Sequence, residues 1–187
     1  MPCSATYYTD CYNGNLFIGS TAVGGVVPPV YNATAQTFAI WNPVGSPKNI
    51  VLLEIDLGYV SGTRVAGNLG LSYQTGLGAQ PATGSPVTAA TLVAPVNGFI
   101  SAGNSSVARF APATLTLTTA ASYLLTFGLS DLVTTAASTG ATGWSDQWVA
   151  NGRVIVAPGS GVFVTANAAA VSAYDITCYW VETPLTG

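Results

Sequence analysis

Val51-Leu52-Leu53-Glu54-Ile55-Asp56-Leu57-Gly58-Tyr59 alternates apolar and polar residues, the period-two signature of a half-buried strand. Val51, Leu53, Ile55, Leu57 and Tyr59 fall on one face. Glu54, Asp56 and Gly58 fall on the other, after Leu52. Upstream lies a turn-rich stretch, Asn42-Pro43-Val44-Gly45-Ser46-Pro47, and before it Gln36 to Trp41 reads as a further strand. Downstream, Ser61-Gly62-Thr63-Arg64 is a loop signal. Leu69, Leu71 and Tyr73 then alternate with Gly70, Ser72 and Gln74, and the spacing predicts that 49–60 and 66–74 form an antiparallel hairpin.

The same period returns along the chain. Residues 75–98 read as a long connection with one short strand at 89–93. Strand signals follow at 113–118 and at 123–129, where Tyr123, Leu125, Phe127 and Leu129 share a face. Residues 130–143 are loop-like, with a weak helical turn over 129–137. Asn151-Gly152 is a strong turn dipeptide before Val154-Ile155-Val156. Val162 to Asn167 and Tyr174 to Glu182 are the last strands, with Tyr174, Ile176, Cys178 and Trp180 on one face. No long segment carries a helical period. The sum is an all-β antiparallel sandwich, and eight strands in two sheets is the jelly-roll count. An immunoglobulin-like sandwich is the second reading, but no Trp sits between two core cysteines at the usual spacing.

Residues 36–187 hold this pattern as one sandwich domain. Residues 1–35, with Tyr7, Tyr8, Tyr12, Phe17, Gly24-Gly25 and Pro28-Pro29, read as an extended arm whose aromatics lie on a neighbouring chain. The rival is a lead-in strand that places Leu16, Phe17 and Ile18 in the subunit's own sheet.

Composition narrows the function. Apolar residues make up 49% of the 187, and charged residues only 6%. A folded monomer of this mass exposes roughly 8,000 Å². Eleven charges (four basic, seven acidic) are a thin coat for that area. Disorder requires the opposite balance, and nucleic-acid binding requires a basic footprint. No apolar run reads as a membrane helix, because 110–130 and 154–174 are broken by Thr, Ser, Gly and Pro. The start, MPCSATYYTDCYNG, carries no basic or apolar leader pattern. A thinly charged subunit of this kind is expected to bury much of itself in an oligomer, a homotrimer above all.

The chain has no histidine, so His-dependent nucleophilic catalysis is excluded. Lys48, the only lysine, lies in a turn and is expected to be exposed and charged. Glu54 and Asp56 project from one face and form a candidate acid/base pair, against which stands a plain polar pair. The three cysteines (Cys3, Cys11 and Cys178) lack metal-ligand spacing. They read as reduced thiols with Cys178 in the core, and the spacing leaves a Cys3–Cys11 bridge open. Trp144 and Trp148 flank Asp146-Gln147 and could stack on a sugar or pack at an interface. No catalytic residue, cofactor or metal is expected.

Two blocks carry a family resemblance. One is Phe38-Ala39-Ile40-Trp41-Asn42-Pro43 with Ser46-Pro47-Lys48-Asn49-Ile50-Val51-Leu52. The other is Val154 to Val162 with Ile176-Thr177-Cys178-Tyr179-Trp180-Val181-Glu182. Together they resemble small virion structural proteins of tailed bacteriophages. The resemblance implies a jelly roll, often a homotrimer, serving as a capsid cement (decoration) protein or as a tail-appendage domain. It implies the major capsid protein as partner, a site on the capsid exterior after assembly in the host cytoplasm, and no chemistry. The alternative within it is a tail-fibre tip that holds a host glycan near Trp144 and Trp148. Tyr7, Tyr8, Tyr12, Phe17, Trp144 and Trp148 are the candidate subunit or capsid contacts.

Overall fold

The computed structural model describes residues 5–62, 67–101, 103–129, 145–169 and 172–185. One helix, α1 (Ala5–Tyr12), precedes β1 (Leu16–Ser20), β2 (Ala35–Gln36), β3 (Ala39–Asn42), β4 (Lys48–Ser61) and β5 (Asn68–Thr75). The chain continues through β6 (Val87–Ala90), β7 (Val96–Asn97), β8 (Arg109–Ala111), β9 (Leu115–Leu117) and β10 (Ser122–Leu129). It closes with β11 (Ser145–Val149), β12 (Ile155–Val156), β13 (Ser160–Ala166) and β14 (Ala173–Pro184). The fold is all-β. The first sheet runs β11-β4-β14-β1-β7, with β12 also on β4; the second runs β10-β5-β13-β3-β8; a small third sheet is β2-β9-β6.

All of these strand pairs are antiparallel, and four of them nest. β1 pairs β14, β3 pairs β13, β4 pairs β11 and β5 pairs β10. Apart from β5 and β10, which pair within the second sheet, successive strands of these eight alternate between the two sheets. The hairpin expected from 49–60 and 66–74 does not form: β4 lies in the first sheet and β5 in the second. Alternation specifies which face of a strand is buried, not which strand lies beside it.

One apolar core fills the space between the two sheets. β4 supplies Ile50, Leu52, Ile55 and Leu57, and β14 supplies Tyr174, Ile176, Cys178 and Trp180. The opposite sheet supplies Ile40, Leu69, Leu71, Val162 and Val164. Phe17 stacks on Trp180 with ring centroids 6.1 Å apart, and Phe110 packs tilted against it at 6.4 Å. The third sheet covers the outer face of the second and encloses Trp41, Leu77, Val87, Leu115, Leu117 and Phe163. There Trp41 donates its indole N–H to the Gly78 carbonyl at 3.0 Å.

The β4–β14 register corrects the reading of the 51–59 stretch. Tyr179 faces Glu54, but the next residue, Trp180, faces Leu52, so Leu53 is one residue too many. Such a bulge flips the side of every residue before it. Ile50 and Leu52 therefore point inward with Ile55 and Leu57. Val51 and Leu53 point outward into a small cluster with Leu16 and Val181.

The N-terminal segment is also corrected. β1 is an internal strand of the first sheet, paired along five positions with β14 and also with β7. Phe17 is 1% exposed and belongs to the core, so it is no contact for a neighbouring chain. The chain beyond β1 stays on the subunit: Val26 bridges to Tyr174 in the first sheet and Val30 to Ala166 in the second. The bulk of Phe17 gains more from the aromatic core than an arm could offer it. α1, absent from the sequence reading, lies outside this strand with Tyr7 and Cys11 against the Leu16–Leu53–Val181 cluster.

Leu52→Ala is expected to cost about 2–5 kcal/mol in urea unfolding, the range for an emptied core site. Val51→Ala, half-buried on the outer face, should cost well under half as much. The reverse order would place the bulge elsewhere.

Candidate functional site

Tyr8 and Tyr12 stand one helical turn apart on α1, 67% and 65% exposed. Their rings are 6.0 Å apart and nearly parallel, and Phe99 extends the row at 6.1 Å from Tyr12. Ile100 beside it is 77% exposed. Phe99 and Ile100 lie just past the stretch read from sequence as a connection and were not singled out there. Asn97 holds this loop in place. Its side-chain amide donates to the Gly14 carbonyl at 2.8 Å and to the Asn104 carbonyl at 3.0 Å. Its side-chain oxygen accepts from the Phe99 N–H at 2.8 Å. The Gly98 N–H donates to the Leu16 carbonyl at 2.8 Å, so the loop and the α1–β1 turn form one unit.

The other predicted contact residues are distributed differently. Tyr7 is half-buried against the outer cluster. Trp148 packs on the core, its ring 5.1 Å from Phe127 and near-parallel to it. The Arg153 guanidinium lies 5.7 Å from the Trp148 ring centroid and donates to the Val149 and Ala150 carbonyls. The indole is therefore occupied by the protein itself. Trp144, Cys3, Arg64 and the weak helical turn after residue 129 lie outside the described residues. A second aromatic group, Tyr31, Tyr73 and Tyr123, is exposed on the second sheet, with Tyr31 edge-on to Tyr123 at 6.0 Å.

The outer face of the first sheet holds the acidic pair. Glu54 and Asp56 point away from the core, as their alternation with Ile55 and Leu57 requires. Gln147 on β11 donates its amide to Glu54, and Tyr179 on β14 faces Glu54 across the ladder. The Glu54 carboxyl is held above its ordinary value. Burial is the largest cause; the Gln147 bond opposes it, and the charge and hydrogen bond of Asp56 add to it. The Tyr179 hydroxyl is pushed up by burial and then by Asp56 and Glu54, and Tyr7 by burial and then by Glu54. Among the described residues no group of three or more His, Cys, Asp or Glu side chains could hold a metal ion.

Lys48 corrects its sequence reading. It is a half-buried partner of Glu182, with Nζ 3.4 Å from a carboxylate whose side chain is 0% exposed. Ser106 donates to the same carboxylate at 2.5 Å and the Val107 N–H at 2.9 Å, with the Ala108 N–H at 3.4 Å. A buried charge is tolerated when its lone pairs are met in this way.

A scan against protein-family models and searches of characterised proteins and of solved structures found no match to this chain. No helix among the described residues is long and apolar enough to cross a membrane.

Lys48→Met is expected to lower unfolding stability by about 3–5 kcal/mol, because it leaves the Glu182 carboxylate buried without its counter-charge. Glu182→Gln should cost less, since the ammonium it leaves behind is partly exposed to water; urea midpoints compare the two. Burial, reinforced by Asp56, pushes the Cys178 thiol far above its usual range. A thiol reagent applied to the native chain should therefore label the half-buried Cys11 and spare Cys178. Peptide mass mapping that found Cys178 modified first would contradict this packing.

Proposed function

We propose that the chain is a structural protein of a tailed-bacteriophage virion, a capsid cement (decoration) protein that works as a homotrimer on the capsid exterior. Its role is to bridge subunits of the major capsid protein by adding buried area across their joints. No bond is made or broken. Among the eight strands that nest, the pairing of first with last, second with seventh, third with sixth and fourth with fifth supports the jelly-roll reading that the family resemblance implies.

The observation that carries the reading is the Tyr8–Tyr12–Phe99 row with Ile100. Large apolar side chains are held outward by a rigid unit, on a chain that is only 6% charged. Exposed aromatics on a fixed scaffold are the usual anchors of a protein interface. The opposed Tyr31, Tyr73 and Tyr123 group offers a second, different surface. A rotationally closed trimer needs two unlike surfaces on each subunit.

Light scattering of the isolated chain should give a trimer at micromolar concentration. Tyr8→Ser combined with Tyr12→Ser should change the unfolding free energy by less than about 1 kcal/mol, since both rings are exposed. The same double variant should lose either the trimer or its attachment to undecorated capsids. A variant that still assembles and binds capsids like the parent would remove the row from the interface. A clean parent monomer that binds glycan and ignores capsids would favour a receptor-binding tip.

A further inference from the structure

We propose that Asp146 and Arg153 close the outer edge of β11 and so keep the first sheet from pairing, strand to strand, with a second copy of this chain. The inference concerns this edge alone and is independent of the capsid reading.

β11 is an end strand of the first sheet, paired on one side only, with β4. Its register on β4 runs through all five residues without a shift. Alternate residues of an antiparallel strand turn their N–H and C=O groups toward the partner strand and away from it. Along β11 two backbone groups are taken by side chains. The Gln147 N–H donates to the Asp146 carboxylate at 2.9 Å. The Val149 carbonyl accepts from the Arg153 guanidinium at 2.6 Å, which also donates to the Ala150 carbonyl at 3.0 Å. Gln147 and Val149 are two residues apart, so both bonds lie on the same edge, the one that faces away from β4. Arg153 also lies over the Trp148 ring, 5.7 Å from its centroid, which holds the guanidinium at this edge.

The other ends of the two main sheets are interrupted by the backbone itself. β10 carries two register shifts against β5. The far edge of β8 is bridged by Val93, and β7 and β12 are only two residues long each. Shifted, covered and very short edges resist strand addition, whereas a regular edge invites it. β11 contains no Lys, no Pro and no bulge. Among the described residues its protection rests on the two side-chain caps.

A second copy fits the edge that those caps close, because the strand is complementary to itself. Antiparallel pairing centred on Gln147 sets that residue opposite its own copy and Ser145 opposite Val149, so the outward groups of each strand meet those of the other. Asp146 then falls opposite Trp148, and no like charges face each other across the pair. A chain that is only 6% charged has little general repulsion to hold such edges apart.

The test compares the parent with a chain carrying Asp146→Ala and Arg153→Met together. The pair leaves the net charge unchanged, and the Met keeps an apolar stem beside Trp148. Asp10→Ala with Arg109→Met removes the same two charges from α1 and β8, away from this edge, and serves as control. Light scattering over a roughly hundred-fold range of concentration reads self-association. Amide hydrogen exchange of Val149 in the same samples reads strand pairing, and β13 amides report whether each chain is folded. Parent and control should show the same mass at each concentration. The edge variant should grow in mass as concentration rises, with Val149 exchange slowed several-fold as it grows. Should the double variant lose β13 protection, the single variants, each freeing one backbone group, should show the same growth more weakly. A folded edge variant that keeps the parent's mass, growth shared by the control, or growth that leaves Val149 exchange unchanged overturns the proposal.

Discussion

The backbone ladder between β4 and β14 supports the rest of the subunit. It joins the two longest strands across twelve paired positions. The far edge of β4 receives β11 and β12, and the far edge of β14 receives β1, so the whole first sheet hangs from it. The inward faces of the pair supply much of the central core, from Ile50 to Leu57 and from Tyr174 to Trp180. At the closing end of the ladder the chain places a carboxylate inside. Glu182 draws in Lys48 from the start of β4 and the backbone of residues 106–108. An unpaired charge there would cost several kcal/mol. Its donors come from two separate places in the sequence, so the carboxylate fixes both relative to the ladder.

The same ladder sets how the outer surface is used. One extra residue, Leu53, turns part of β4 from a polar strip into an apolar floor, and α1 lies on that floor. Carboxylates and helix come to lie next to each other because of that one insertion. The sparse charges of this chain therefore serve inside or beneath packed elements. Glu182, Lys48 and Glu54 each meet a named partner, while Tyr8, Tyr12 and Phe99 face water.

How much of this was legible depends on the signal each residue carries. The inward face of β14 could be read directly, because Tyr174, Ile176, Cys178 and Trp180 alternate without interruption. Ile55 and Leu57 were equally plain. Val51 and Leu53 were assigned to the wrong face, since a bulge leaves no mark in a run of aliphatic residues. β5 was given the wrong neighbour because its period says nothing about sheet order. α1 went unread: eight residues with Tyr7 and Cys11 on one side and Tyr8 and Tyr12 on the other have too little contrast to show a helical stripe. Phe99 and Ile100 carried no periodic signal at all, and only the Asn97 hydrogen bonds bring them beside Tyr12.

The nested pairing also has a temporal side. Partners lie far apart in the chain, and the loop-closure entropy of joining them must be met before any contact rewards it. β14 leaves the ribosome after the other strands of its sheet, yet it sits between β1 and β4 in the middle of that sheet. During synthesis those two strands have open edges facing a missing neighbour, and exposed edges invite pairing with other chains. A nascent chain of this design waits for residues 173–184 before its first sheet can close, so translation speed and local crowding decide whether it closes on itself or on a sister chain.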